Sequence, residues 1–181
     1  VYYRGPEKKT VSMVLSRRPI PEIPWDPKNL ARAMRKRSDE LETELHKFLE
    51  GVNEEEASFK PSPDAWSIKE NLAHLVQGER YTPVFLAELI NGNARFYDLF
   101  GDNVNAYVEA TVVAYPTMKE LVQELIRCDT ETVEFLARLP AEFVAHKGSY
   151  WRVAFNMLDT PFHFYEHIGQ MRTAIEAARK K

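Results

Sequence analysis

Four long stretches with helical periodicity constrain the fold of this chain more than any other feature. The first begins at Asp26, a suitable N-cap that is followed by Pro27 at the first helical position. The second and third each begin with a capping box, S-x-x-E at Ser67 and T-x-x-E at Thr117. The fourth begins at the T-P step of residues 160–161. Because no segment shows the alternation typical of a strand, the sequence predicts an all-α four-helix bundle.

The segments outside these helices define the domain organisation. Residues 1–25 contain four prolines and show no helical period, so we predict an extended N-terminal arm, followed by one domain over residues 26–181. Pro83 lies within the second helix and is expected to kink it. Residues 93–116 form a long crossover with a short helix near residues 104–110. We expect a loop between the third and fourth helices.

Composition excludes several classes of function. The chain has 181 residues, 44% of them hydrophobic, which suffices for a sizeable core. With a net charge of −3 there is no excess of basic residues to indicate a nucleic-acid partner. No apolar run approaches the ~20 residues of a membrane span, so we expect no membrane partner. Cys128 is the sole cysteine, which excludes an internal disulfide and favours a cytoplasmic location. It lies on the apolar stripe of the third helix, so we expect its side chain to pack in the core.

The stretch HFYEHIGQMR, residues 163–172, carries two histidines four residues apart. On a helical wheel His163 and His167 share the core-facing side of the fourth helix, and Gln170 lies at the same edge. Side chains at i and i+4 are neighbours, so both imidazoles could bind one ion. His163 also lies in the first helical turn, where the helix dipole disfavours imidazolium and so favours the neutral form that metals bind.

A metal site needs at least one further protein ligand, and the candidate is His74. It lies two turns into the second helix at the edge of the core-facing arc, and facing helices of a bundle direct such groups inward. Glu79 is the one carboxylate inside that arc. It could support a metal ligand or act as a base near the metal. We favour a structural role, either a salt bridge with an arginine such as Arg172 or exposure through the Pro83 kink.

Three further polar or aromatic residues lie near these positions, and each has an ordinary structural interpretation. Gln77 and Gln170 could orient a ligand or a water molecule, but polar helix edges usually carry such residues for solvation alone. Trp66 could contact a substrate, although a tryptophan at this position more often closes the end of a bundle.

The same stretch also matches H-x-x-E-H, the inverzincin peptidase pattern, with Glu166 as general base. We rank this interpretation second. The third ligand of such peptidases lies far downstream, and here only a short helical tail follows His167.

A family resemblance supports the three-histidine interpretation. The segment DAWSIKENLAHLVQGERY (64–81) combines a tryptophan, a helix start and a histidine, and HFYEHIGQMR (163–172) contains H-x-x-x-H-x-x-Q. The single histidine precedes the pair by about ninety residues. In these segments and this spacing the chain resembles the DinB/YfiT-like family over residues 27–179.

The resemblance implies a bundle of up-down-down-up topology in which His74, His163 and His167 hold a divalent metal, nickel or zinc, with iron possible. It implies a transferase that uses a low-molecular-weight thiol cosubstrate and a small-molecule substrate. The alternatives are a metal-dependent hydrolase and a non-catalytic bundle that binds a metal or a small molecule. Relatives tend to form homodimers, and we expect the apolar stripe of the first helix to contribute to that contact.

Overall fold

The computed structural model describes residues 2–4, 7–9, 20–93, 104–159 and 161–180. An antiparallel hairpin of two short strands, β1 (Tyr2–Arg4) and β2 (Glu7–Lys9), lies in the arm. The other elements are helices: α1 (Pro27–Leu49), α2 (Glu54–Ser58), α3 (Ile68–Ile90), α4 (Val104–Ala114), α5 (Met118–Leu136), α6 (Ala141–Ala145), α7 (Lys147–Asp159) and α8 (Pro161–Ala178). None of the helices in these ranges is long and apolar enough to cross a membrane.

Local capping interactions fix the starts of three long helices as predicted. The Asp26 carboxylate accepts a hydrogen bond from the third residue of α1 at 2.9 Å. Ser67 and Glu70 form a reciprocal capping box at the start of α3, and Thr117 and Glu120 form one at the start of α5. Each box satisfies backbone N–H groups that have no partner inside the helix, so the sequence specifies where these helices begin.

The long helices pack around two hydrophobic clusters. α3 contacts α4, α5 and α8, whereas α1 contacts α5, α7 and α8. One cluster lies between α3, α5 and α8, with Leu72, Leu121 and Met171 fully buried. The other lies between α1, α5 and α7 and contains Leu30 and Tyr150. The all-α bundle is confirmed, while the up-down-down-up order stays a prediction.

Three helices were not predicted. α2 and α6 are single turns inside connections. The expected loop between the third and fourth long helices was wrong, because α7 fills most of it. The buried residues of α7 recur at helical spacing, so the signal was present, but no capping motif in the sequence marks where the helix begins. They are Tyr150, Val153, Ala154, Met157 and Leu158.

The crossover and the arm are more ordered than predicted where the structure describes them. α4 extends beyond the expected short helix to Ala114, and residues 94–103 of the crossover lie outside the described ranges. The end of the arm packs on α7. Trp25 stacks on Tyr150 at 5.7 Å between ring centroids, and the Tyr150 hydroxyl donates a hydrogen bond to the Pro24 carbonyl at 2.7 Å.

Two predictions about helix faces have different outcomes. Pro83 lies inside α3, as expected, and the kink there stays a prediction. The apolar stripe of α1 does not offer its main residues to a partner, because Leu30, Met34 and Leu45 are buried within the chain.

Candidate metal centre

The structure brings His74 of α3 together with His163 and His167 of α8. The Nε2 atom of His163 lies 3.0 Å from Nε2 of His167 and 3.4 Å from Nε2 of His74. One potential ligand atom from each of the three side chains lies within 4.8 Å of the others. His167 is buried, His74 is half-buried and His163 is exposed, so the cluster extends from the core to the surface.

Asn71, one turn before His74 on α3, orients the most deeply buried of the three imidazoles. Its Nδ2 group donates to the carbonyl of Ser67 at 2.9 Å, which directs Oδ1 toward Nδ1 of His167, also at 2.9 Å. Nδ1 of His167 therefore donates its hydrogen, and in the neutral ring Nε2 keeps a free lone pair. Such a hydrogen bond on the distal nitrogen is the usual support for a metal-binding histidine.

The donor set and its spacing fit a divalent ion. With metal–nitrogen distances of about 2.0–2.1 Å, imidazole nitrogens around a tetrahedral ion lie about 3.3 Å apart, close to the two separations seen here. A hydrogen bond between two of the imidazoles would pair only two of the three converging nitrogens, whereas one ion could bind all three. Nδ1 of His74 is buried without a hydrogen-bond partner among the described residues, so no hydrogen bond at that atom fixes the orientation of the ring.

The surroundings of the cluster favour neutral imidazoles. Burial, together with the nearby His163 and His74 rings, lowers the pKa of His167 to about 4, although the Gln170 side chain acts in the opposite direction. Burial and the His163 ring also lower the pKa of His74. Neutral imidazole is the form that binds a metal, so protons compete weakly for these two sites near neutral pH.

The aromatic and amide residues singled out in the sequence have distinct positions. Trp66 packs against the cluster, with ring centroids 4.9 Å from His74 and 6.2 Å from His167, and its indole N–H donates to Asn105. Gln77 is buried and donates to the Thr111 hydroxyl on α4, which is a packing role.

A cavity of about 320 Å³ lies beside the histidines. Helices α1, α3, α5, α7 and α8 all contribute to its walls, and His163 is one of the lining residues. Most of the lining is apolar, including Leu41, Leu45, Leu75, Leu125, Ile126, Met157 and Phe164. Among the described residues neither the arm nor α4 lines the cavity. A small ligand in this cavity would contact the face of the histidine cluster at His163.

Glu79 lines the same cavity, together with Asp129 of α5. Burial, and secondarily the negative charge of Asp129, raises the pKa of Glu79 to about 7. Within the described ranges no hydrogen bond or ion pair engages the Glu79 carboxylate. The favoured salt bridge with Arg172 is absent, because the Arg172 guanidinium lies over the Phe48 ring at 5.5 Å. Sequence reasoning found Glu79 but neither Asp129 nor Asn71.

The peptidase interpretation and the single cysteine can also be judged from the structure. Glu166 is exposed and does not line the cavity, so it has no position from which to act as a base on a ligand there. Cys128 is buried, and burial raises the pKa of its thiol to about 11, which agrees with a packing role.

Comparison with known proteins agrees with this geometry. No curated protein and no solved structure matches the chain significantly. The sequence model of the DinB superfamily matches residues 37–171, a range that includes all three clustered histidines, the cavity residue Glu79 and most of the bundle. We conclude that the chain belongs to the DinB superfamily.

Proposed function

We propose that this protein is a metal-dependent enzyme in which His74, His163 and His167 hold one divalent ion, nickel or zinc, with iron as a third possibility. The observation that carries the proposal is the convergence of three imidazole nitrogens at the wall of a ligand-sized cavity. Three protein ligands leave coordination positions open, which is typical of catalytic rather than structural sites.

The reaction that we favour is transfer of a low-molecular-weight thiol to a small electrophile in the cavity. When bound, the divalent ion supplies Lewis acidity, which lowers the pKa of a thiol that binds it. The apolar walls would hold the electrophile and exclude water. A new S–C bond forms, the leaving group departs with the bonding electrons, and the thiol proton passes to a base. Glu79, with a pKa of about 7, is the candidate for that base.

A metal-dependent hydrolase is the second candidate, and the same carboxylate favours it. A carboxylate whose pKa lies near neutrality, in the same cavity as His163, suits a general base that removes a proton from water. In this alternative Glu79 would act on water instead of on a thiol.

Turnover assays separate these activities from simple binding. The protein would be offered alkyl halides, epoxides and activated esters, with and without thiols of several classes. Thiol-dependent loss of the electrophile supports the transferase, and thiol-independent ester cleavage supports the hydrolase. His163→Ala should abolish either activity, whereas His46→Ala, at an exposed position on α1, should not. A wild-type protein that binds metal but turns over none of these substrates would point to a non-catalytic binding protein.

We also propose that the protein acts in the cytoplasm as a homodimer. The buried stripe of α1 does not support the dimer, but exposed apolar residues on α3 and α4, Tyr81, Val84, Tyr107 and Val113, offer an alternative contact. Light scattering at high protein concentration tests this, and a monomer mass there would contradict it.

A further inference from the structure

The cavity beside His163 is not uniformly apolar, because charged groups interrupt its walls. Carboxyl groups enter from three helices: Glu42 from α1, Glu79 from α3 and Asp129 from α5. The cationic side chain at the cavity is Arg37 of α1, and α7 contributes only Met157. The lining therefore contains more acidic than basic groups.

Burial lowers the pKa of Arg37, and the charges of Asp159 and Glu40 and the Tyr165 side chain oppose that shift only in part. Its Nε atom is buried without a hydrogen-bond partner among the described residues, so Arg37 is the group of this cavity that an anionic ligand would contact. The Glu42 side chain is 35% exposed, so solvent screens much of its charge. Burial instead raises the pKa values of Glu79 and Asp129, which makes these two the more enclosed carboxyl groups of the cavity.

These two carboxyl groups differ in how they are supported. The positive charge of Arg35 on α1 attracts Asp129, although Asp39 and Glu42 of the same helix repel it. Glu79 has no such partner among the residues described. It retains some exposed surface where it borders the cavity, yet protein atoms surround its carboxyl group on most sides. A buried carboxyl group without a partner is costly to keep unless something else pairs with it.

We propose that the cavity binds small molecules that carry a positively charged group, such as a primary ammonium, on an apolar body, with the cation placed at Glu79 and Asp129. A cation there would pair with Glu79 and reduce the repulsion between the two carboxylates. The aliphatic and aromatic walls would bind the apolar body. The volume of about 320 Å³ is at the small end for ligand cavities, so one small amine fits better than a peptide or a nucleotide.

This inference names the substrate class of the site described under Proposed function and rests on that function for its catalytic meaning. The apolar body of the amine would extend toward His163, which lines the same cavity. The reacting carbon would then lie beside the candidate metal, whereas the charged group would fix the orientation of the molecule. Glu79 and Asp129 would then bind the charged group and position the substrate, so with an amine substrate the thiol proton passes to solvent and not to Glu79.

Titration calorimetry at pH 8, with the protein as purified, tests the proposal by comparing the affinities of three matched probes. The probes are 2-phenylethylamine, the neutral 2-phenylethanol and the anionic 3-phenylpropanoate. We expect the amine to bind about tenfold more tightly than the alcohol, because a hydrogen bond between charged groups is about twice as strong as a neutral one, and a difference of about 1.4 kcal/mol is tenfold in affinity. The carboxylate should bind most weakly.

Variants locate the binding site. Glu79→Gln and Asp129→Asn should each weaken amine binding about tenfold and leave alcohol binding unchanged. Glu131→Gln, which removes the same charge from an exposed position of α5, should have no effect on either probe. The two cavity variants are independent, so if one fails to fold the other still decides the question.

Several results would overturn the proposal. Equal affinities for the amine and the alcohol would show that the positive charge does not contribute to binding. Tighter binding of the carboxylate would show that the cavity recognises anions through Arg37 instead. If neither variant weakens amine binding, the cation binds elsewhere. If Glu79→Gln binds the amine normally but loses turnover, Glu79 acts only as a base. His74→Ala keeps this test separate from the metal hypothesis, because amine binding should persist in that variant even if metal and turnover are lost.

Discussion

Replacing Glu79 by glutamine is expected to stabilise the protein at alkaline pH and to leave its stability nearly unchanged in acid. The pKa of Glu79 is raised from 4.5 to about 7, chiefly by burial. Between these two values the folded state holds a proton that the unfolded state has lost, so stability falls as the pH rises from about 4.5 to 7. Glutamine has a similar volume and never ionises, which removes this loss.

The pKa shift of Glu79 sets the size of the expected stabilisation. A difference of about 2.5 pKa units corresponds to about 3.4 kcal/mol at 1.36 kcal/mol per unit. Water that enters the cavity reduces the cost of charging the carboxyl group, so we expect Glu79→Gln to gain about 2–3 kcal/mol at pH 8. For a chain of this size that is a rise in Tm of roughly 4–12 °C.

Urea unfolding of the wild type and of Glu79→Gln from pH 4.5 to 8 measures this directly. Chelator should be present throughout, because a metal cation near the cavity would itself lower the pKa of Glu79. The pH dependence of other groups cancels in the difference between the two proteins. A variant that is less stable than the wild type at pH 8 would refute the reasoning, because it would mean that Glu79 has a favourable partner such as a salt bridge.

The remaining predictions concern the support of the site and the bundle. Asn71→Leu should weaken metal binding about 10–100-fold in a competitive chelator titration, whereas Asn71→Asp, which still accepts the His167 hydrogen bond, should bind nearly normally. Metal occupancy measured after dialysis should be maintained at neutral pH. It should decrease once the pH is well below ~6.5, since protons compete for the same nitrogens. Glu124 is buried between Arg80 and Arg127, which lower its pKa to about 2. Glu124→Gln should therefore cost about 3 kcal/mol in urea unfolding, and a change below 1 kcal/mol would contradict this role.

Helix starts could be predicted from the sequence because the interactions that define them are local. The capping boxes at Ser67 and Thr117 each span only four residues, so the sequence contains the whole motif. The start of α7 is different, because its stability comes from packing of Tyr150 and its neighbours against α1 and the arm. That contact joins residues far apart in the chain, so no local sequence motif predicts it.

The candidate ligands could be predicted because two histidines share one helix face and a third lies on a core-facing arc. Asn71 gave a weaker signal that was overlooked. Asparagine is unfavourable inside a helix, so a fully buried asparagine three residues before His74 indicates a specific partner. Asp129 gave no such signal, because its proximity to Glu79 depends on how α3 and α5 pack.

Elemental analysis of protein purified without an affinity tag tests the central claim most directly. The account predicts about one divalent ion per chain in the wild type, loss of that ion in His74→Ala, and retention in His46→Ala, which removes an exposed histidine outside the cluster. Each protein should first be shown to be folded by circular dichroism. Equal metal content in the wild type and in folded His74→Ala would contradict the claim that the three histidines form one metal centre.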